Sequence, residues 1–208
     1  MSARVVIFGG TFDPVQCGHM AVADQAHRLL RANKLWFVVA NLPPLRRPAV
    51  APAAARVEML HAAVAGDQRF TVIDLEIRRG GATYTADTMA ELHREHPDTD
   101  FRVLLGADVA RSVPAWHRAA ELLAREQFVI VNRAGETPLG LDEAVRLGFD
   151  PQHTELLEVA SPPVSATEVR RRVAGGESLA GLVPDAVAAI IARDGLYRTG
   201  RAVHNAGG

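Results

Sequence analysis

The stretch VVIFGGTFDPVQCGHM, residues 5–20, decides the fold of this chain. A β-branched apolar run, residues 4–8, leads into Gly9 and Gly10, and a helical pattern begins at about His19. Glycines let the backbone approach a bulky anion closely, and a helix N-terminus offers unpaired N–H groups at the positive end of its dipole. His19 lies on the first helical turn, where it can point at the same anion. The stretch therefore predicts a phosphate-binding turn between a strand and a helix.

The rest of the chain alternates short β-branched runs with amphipathic stretches, which predicts a doubly wound, mostly parallel α/β sheet. The predicted strands are residues 4–8, 35–40, 70–77, 101–106, 128–132 and 156–159. The predicted helices are residues 19–32, 56–65, 86–96 and 184–193, the last forming a small C-terminal helical part. We expect residues 1–198 to form a single domain and residues 199–208 to be a flexible tail.

Composition limits the cellular location and the partners that we expect for this protein. The 208 residues carry a net charge of −1, which favours neither a nucleic-acid partner nor a membrane surface. No apolar run approaches the roughly 18 residues that span a bilayer, and the N-terminus lacks the layout of a signal peptide. Cys17 is the only cysteine, so no internal disulfide forms and a structural zinc site is not expected. We expect a cytoplasmic protein; its composition leaves a homo-oligomer open.

Two irregular loops follow predicted strands. Residues 41–52 are proline-rich and contain the adjacent Arg46 and Arg47, and residues 78–84 read RRGGATY. Loops at the carboxyl ends of strands line the ligand crevice of an open α/β sheet, so both are candidates for binding substrate. The alternative is that each is a plain surface linker.

Taken together, the motifs carry a family resemblance. GGTFDPVQCGH resembles the "GGTFDPxHxGH" signature of bacterial nicotinate mononucleotide adenylyltransferases, in the wider nucleotidyltransferase superfamily. Later segments are similar to that family's motifs in the same order: RRGGATYTADT, VLLGADVARSVPAW, FVIVNRAG, VSATEVR and LVPDAVAAIIARDGLYR. The matching blocks run from about residue 5 to residue 198. The resemblance implies a Rossmann-like nucleotidyltransferase fold.

It also implies a reaction. The phosphate of nicotinate mononucleotide attacks the α-phosphorus of ATP, with Mg²⁺, and gives nicotinate adenine dinucleotide and pyrophosphate in NAD biosynthesis. The attacking oxygen is already an anion, so the protein has to relieve charge repulsion and align the reactants rather than supply a nucleophile. Cys17 is therefore not needed as a nucleophile.

The resemblance further implies site residues. Those for catalysis are His19, Gln16 and Arg170. Those for ATP are Gly9, Gly10, Thr11, Phe12, Gly18, His19, Gly106, Asp108, Arg133, Ser165, Thr167 and Arg170. In this set Asp108 lies near ribose hydroxyls, Arg133 near the adenine, and Ser165, Thr167 and Arg170 hold the β- and γ-phosphates. Those for the mononucleotide are Tyr84, Thr85, Trp116 and either Arg46 or Arg47. No protein ligands for a metal are expected.

Ser165 also has a purely structural interpretation. It is an N-cap candidate, and Glu168 three residues later has the spacing of a capping box, so a helix begins there with or without a ligand.

Gln16 departs from the family signature, which has histidine at this position. Glutamine supplies an N–H donor but no titratable charge. The interpretation we favour is an active enzyme in which Gln16 donates to the ATP phosphates as a neutral group. Two alternatives remain at this point: a non-catalytic nucleotide-binding relative, and an adenylyltransferase that acts on another phosphate acceptor.

Overall fold

Six parallel strands form one sheet in the order β3-β2-β1-β4-β5-β6 in the computed structural model, which describes residues 2–44 and 47–198. The strands are β1 (Ala3–Gly10), β2 (Lys34–Val39), β3 (Phe70–Ile73), β4 (Thr99–Gly106), β5 (Gln127–Arg133) and β6 (Thr154–Val159). β1 is central, and its Ile7 is paired with Trp36 of β2 and Val103 of β4. The doubly wound parallel sheet expected from the sequence is confirmed.

Helices cover both faces of the sheet. They are α1 (Cys17–Leu29), α2 (Ala53–Ala63), α3 (Leu75–Arg79), α4 (Thr85–Glu95), α5 (Ala107–Ala110), α6 (Ala119–Arg125), α7 (Leu141–Arg146), α8 (Ala166–Ala174) and α9 (Asp185–Asp194), with a 3-10 turn at Val113–Ala115. Val6 faces a core shared with α1, α2, α8 and α9, whereas its neighbours Val5 and Ile7 face a core shared with α4 to α7. Alternate β1 side chains are therefore buried on opposite faces, which explains the continuous apolar run. Among the described residues, no helix is long and apolar enough to cross a membrane.

The strand order places a switch point beside β1. The chain runs outward from β1 through β2 to β3, and then returns to place β4 on the other side of β1. In doubly wound sheets the connections on the two sides of such a point leave in opposite directions, and the ligand crevice lies outside the carboxyl ends of the strands there. The signature turn after β1 lies at this point.

One predicted strand is wrong in its second half. Residues 70–77 were expected to be a single strand, but β3 ends at Ile73 and α3 begins at Leu75. The apolar pattern continues because Leu75 is buried on the helix, and a short apolar run does not distinguish a buried strand from a buried helical turn. The four predicted helices are present with ends shifted by one to three residues. The expected tail, residues 199–208, lies outside the described residues.

A buried arginine joins the ends of two central strands. Arg56 of α2 is only 2% exposed, and its Nη1 donates to the Thr11 carbonyl (2.8 Å) and to the Ala40 carbonyl (2.7 Å). These carbonyls belong to the residues that directly follow β1 and β2. Burial lowers the pKa of Arg56, and the nearby Asp13 opposes that shift. Arg56 thus satisfies two backbone groups that the strand ends would otherwise bury unpaired.

Replacing Arg56 tests this role. Arg56→Met keeps most of the side-chain length but leaves both carbonyls without their donor, which should lower the unfolding free energy by about 2 kcal/mol. The measurement is urea unfolding of the two proteins. Arg28→Met, at an exposed position of α1, is the control and should change stability by less than about 0.5 kcal/mol. Equal midpoints for Arg56→Met and the parent protein would contradict this role.

Candidate active site

The signature turn is shaped by an aromatic ring. Phe12 has a positive φ of 48° and is buried, where its ring packs edge-on against Phe8 and Phe37. A Cβ on Gly10 would lie 2.8 Å from the Phe12 ring, so this position requires glycine. A Cβ on Gly9 would meet nothing within 4 Å. Gly9 therefore leaves open space at the end of β1, and Phe12 can offer a ligand only its backbone.

His19 is a neutral imidazole in this structure. Its Nδ1 accepts a hydrogen bond from the Gln16 backbone N–H (3.1 Å), and its ring packs edge-on against Phe12. Burial, with a smaller contribution from the positive charge of Arg133, lowers the pKa of His19 to about 4. Because Nδ1 is an acceptor, the proton of the neutral ring is on Nε2. His19 thus has an N–H donor available for a ligand and carries no charge before one binds.

The ends of β4 and β5 bring three predicted residues together. A Cβ on Gly106 would lie 2.7 Å from Asp108 Oδ1 and 4.0 Å from Arg133 Nη2. Arg133 also pairs with Glu136, three residues further along the chain. The charge of Arg133 contributes to the lowered pKa of His19, so the ends of β4 and β5 lie near the signature turn.

The start of α8 carries the predicted phosphate-binding hydroxyls. Ser165 is the N-cap, and its Oγ accepts from the Glu168 N–H (3.1 Å), as the spacing predicts. Arg170 faces back toward the signature turn: its Nη1 donates to the main-chain carbonyl of Asp13 (2.7 Å), and its Nη2 lies 3.5 Å from Thr167 Oγ1. The structure therefore places Arg170 and Thr167 together beside the turn after β1.

Asp13 is a central residue that the sequence analysis missed. Its buried carboxylate accepts from the N–H groups of Val50 (2.7 Å) and Ala51 (3.0 Å) and from the Tyr197 hydroxyl (2.8 Å), and lies 3.8 Å from Arg170. Burial and the adjacent carboxylate raise the pKa of Tyr197. The only sequence signal was an acidic residue inside an otherwise apolar turn.

The two irregular loops form a joint rim of the crevice. Leu42 and Ala82 make a parallel bridge, and Thr83 Oγ1 accepts from the N–H groups of both Asn41 and Leu42 (3.2 Å each). The Thr83 N–H in turn donates to the Leu42 carbonyl (3.0 Å). Neither loop is an independent linker, because each supplies hydrogen-bond partners to the other.

Glu76 lies beneath this rim and was also missed. It is 5% exposed and accepts from Thr88 Oγ1 (2.6 Å), which itself accepts from Arg79 (2.9 Å). Burial raises the pKa of Glu76 to about 7, although hydrogen bonds from Thr88 and Thr83 and the charge of Arg79 act in the other direction. A buried carboxyl therefore supports the loop that leads into α4.

The predicted mononucleotide residues surround the start of α4. Tyr84 is the N-cap of α4, Thr85 is its first residue, and the Tyr84 ring lies against His117, with centroids 4.4 Å apart. Trp116 is half-buried and donates from Nε1 to Ser112 Oγ (3.0 Å). The structure thus brings Tyr84 and Thr85 close to the segment that carries Trp116.

The first loop contains the two candidate arginines. Arg46 lies outside the described residues, and Arg47 is exposed.

Gln16 has partners other than the expected phosphate. It is 4% exposed and is the N-cap of α1, where its backbone N–H donates to His19 Nδ1 (3.1 Å). With the amide oriented so that both of its atoms are paired, the side-chain N–H donates to the Val164 carbonyl (2.9 Å) and the oxygen accepts from the Ala166 N–H (2.6 Å). The residue therefore contacts the start of α8.

Comparison with known proteins shows the family to which the chain belongs. Residues 7–172 match the family model for cytidylyltransferase-like proteins. A probable nicotinate-nucleotide adenylyltransferase of Thermus thermophilus is 42% identical, over 94% of this chain and 100% of that protein. One of Exiguobacterium sibiricum, with the same name, is 39% identical over the same shares. The chain belongs to the nicotinate-nucleotide adenylyltransferase family. The resemblance drawn from the motifs is confirmed.

Solved structures support the fold of this adenylyltransferase. A Plasmodium falciparum nicotinic acid mononucleotide adenylyltransferase complexed with NaAD superposes with a TM-score of 0.76 at 20% identity, over 94% of this chain and 97% of that one. A second structure of that protein, complexed with APC, gives a TM-score of 0.74 at 19% identity over the same shares. At this identity the likeness shows the shared Rossmann-like architecture.

The neutral state of His19 can be measured in this adenylyltransferase. The ring should titrate near pH 4, and its Nε2 should carry the proton above that value, as observed by nitrogen-15 NMR of labelled histidine. The unfolded chain takes up this proton near 6.5, so as pH falls from 6.5 to 4 the folded state loses stability relative to the unfolded state. His19→Asn should therefore lose less stability than the parent protein between about pH 7 and pH 5. A His19 midpoint near 6.5 would contradict the assignment.

Proposed function

We propose that the crevice at the carboxyl ends of β1, β4 and β5 is where this enzyme transfers the adenylyl group of ATP to nicotinate mononucleotide. The products are nicotinate adenine dinucleotide and pyrophosphate, a step of NAD biosynthesis. The reaction follows from the family to which the chain belongs. The observation that supports its location is the approach of Arg170 and α8 to the signature turn, through the bond from Arg170 to the Asp13 carbonyl. We propose that residues 1–198 act in it as a single domain.

The chemistry requires charge stabilisation and alignment. The triphosphate and the attacking phosphate are both anions, so donors must be in place before they meet. We assign the phosphates to the backbone N–H groups of Thr11 and Phe12, to His19, and to Arg170 with the α8 hydroxyls. Arg170 supplies a permanent charge, and its bond to Asp13 holds the guanidinium in position. His19 supplies a neutral donor whose protonation the phosphates would favour.

No covalent intermediate is required. The Cys17 backbone N–H donates to the Leu182 carbonyl (2.9 Å), and burial raises the pKa of its thiol. A raised pKa disfavours the thiolate, which is the nucleophilic form. Direct in-line attack by the mononucleotide phosphate is consistent with these properties.

The nucleoside ends of the substrates are assigned to opposite sides of the crevice. On the ATP side, Gly9 leaves open space at the end of β1, whereas Gly10, Gly18 and Gly106 allow close packing of the residues around the site. Asp108 takes ribose hydroxyls, and Arg133 lies beside the adenine. Tyr84, Thr85 and Trp116 take the nicotinate ring and its carboxylate, and either Arg46 or Arg47 takes the mononucleotide phosphate.

Magnesium enters as part of the substrate. Within residues 2–44 and 47–198, no group of three or more His, Cys, Asp or Glu side chains could hold a metal ion. Mg²⁺ commonly binds through substrate phosphates and keeps several waters. We therefore propose Mg²⁺-ATP as the substrate, with the ion neutralising phosphate charge and His19 and Arg170 supplying the remaining donors.

A product assay tests this function. Incubation with Mg²⁺-ATP and nicotinate mononucleotide should release pyrophosphate and form the dinucleotide, separated by chromatography. His19→Ala should lower the turnover rate by about tenfold or more, since it removes a donor to a charged group. ATP binding without product would favour a non-catalytic relative. Product only with another acceptor, such as phosphopantetheine, would favour a different transferase.

A second experiment tests the mononucleotide side. Trp116→Ala removes a flat contact surface and should raise KM for nicotinate mononucleotide about tenfold with a smaller effect on KM for ATP. Trp36→Phe is the matched control, because Trp36 lies on β2 against His96 and Phe101; it should leave both values unchanged. The parent enzyme should also prefer the acid to the amide mononucleotide, since an anion makes the stronger hydrogen bonds with N–H donors. Equal effects of Trp116→Ala on both substrates would refute the stacking role.

A further inference from the structure

Helix α1 and the segment between β6 and α8 are joined along their length. A Cβ on Gly18 would lie 3.2 Å from the Pro162 carbonyl oxygen, so the two backbones approach as closely as glycine allows. About two turns further along the helix, the amide of Gln25 bonds both the carbonyl and the N–H of Ala160. The contact therefore consists of a close backbone approach at Gly18 and of amide hydrogen bonds at Gln25.

Gln16 makes the contact nearest the crevice. Its amide bonds the Val164 carbonyl and the Ala166 N–H, which flank Ser165. In an extended chain, the carbonyl of one residue and the N–H of the second residue after it point to the same side, as they do toward a neighbouring strand. A primary amide presents one donor and one acceptor side by side, and so matches this pair. The two ring nitrogens of histidine point in diverging directions and cannot make both bonds.

The bond to Ala166 also decides which α8 groups remain for a ligand. In the first turn, the Ala166 N–H is taken by Gln16 and the Glu168 N–H by Ser165 Oγ. The Thr167 N–H has no hydrogen-bond partner among residues 2–44 and 47–198. Gln16 therefore does not compete for the donor that is left to an anion.

We propose that Gln16 is a positioning residue that locks the N-terminus of α8 to the N-terminus of α1. It fixes the separation between His19 on one helix and Thr167 and Arg170 on the other, and it does so before any nucleotide binds. In this protein the family's histidine is replaced by a side chain that aligns the phosphate-binding groups without contacting phosphate. The effect on catalysis rests on the function proposed above, whereas the lock itself does not.

Amide exchange in the nucleotide-free protein tests the lock directly. By NMR, the Ala166 N–H of the parent protein should exchange about tenfold more slowly than the Thr167 N–H, although both lie in the first turn of α8. Gln16→Met, of similar volume, should bring the Ala166 rate up to that of Thr167. Ser165→Ala is the matched control and should accelerate Glu168 but not Ala166. Equal rates for Ala166 and Thr167 in the parent protein would overturn the proposal without need of a variant.

Steady-state kinetics then test the consequence. Gln16→Met should lower kcat about tenfold while KM for nicotinate mononucleotide changes by less than about twofold. If Gln16 only contacted phosphate, Gln16→Met would leave the Ala166 exchange rate unchanged and would weaken ATP binding. That result would overturn the lock. If the parent enzyme formed no dinucleotide, the proposed function would fail, and the exchange rates would still decide whether the lock exists.

Discussion

The buried carboxylate of Asp13 is the interaction on which the arrangement of the site depends. It lies in the turn after the central strand and accepts hydrogen bonds from Val50 and Ala51, in the loop after β2, and from Tyr197 beyond α9. These groups come from distant parts of the chain and meet on two oxygens. A buried carboxylate is stable only when its oxygens accept hydrogen bonds. The need to satisfy Asp13 therefore holds the turn, the loop and the C-terminal segment together.

The basic side chains around this carboxylate differ in burial and in charge. Arg56 is deeply buried and bonds only carbonyl oxygens, Arg170 is half-buried and bonds the Asp13 main chain, and His19 is neutral. The innermost cation therefore serves the strand ends, and the outer one is the charge that we propose for phosphate binding. A triphosphate would meet one fixed charge and one neutral donor, and its own charge would favour protonation of the second.

Sequence reasoning predicted the sheet, the turn after β1 and the start of α8 because those features depend on local pattern. The alternation of strands and helices, the turn at Gly9 and Gly10, and the Ser165 cap are all readable from neighbouring residues. Asp13 and Glu76 were missed because their partners, such as Tyr197 and Thr88, are distant in sequence and become visible only when the chain is folded. The predicted strand over residues 70–77 was wrong for a related reason. An apolar run indicates that residues are buried, but not whether they form a strand or a helix.

Gln16 shows how far a motif can be transferred between relatives. The signature correctly places this position next to the start of α1, but the side chain decides what the position contacts. An imidazole and an amide differ in the direction of their donors, and only the amide can pair with the carbonyl and N–H that flank Ser165. The backbone at the start of α8 thus presents a carbonyl and an N–H that match the glutamine amide. A change inside a catalytic signature can in this way preserve the geometry of a site while changing which groups carry the charge.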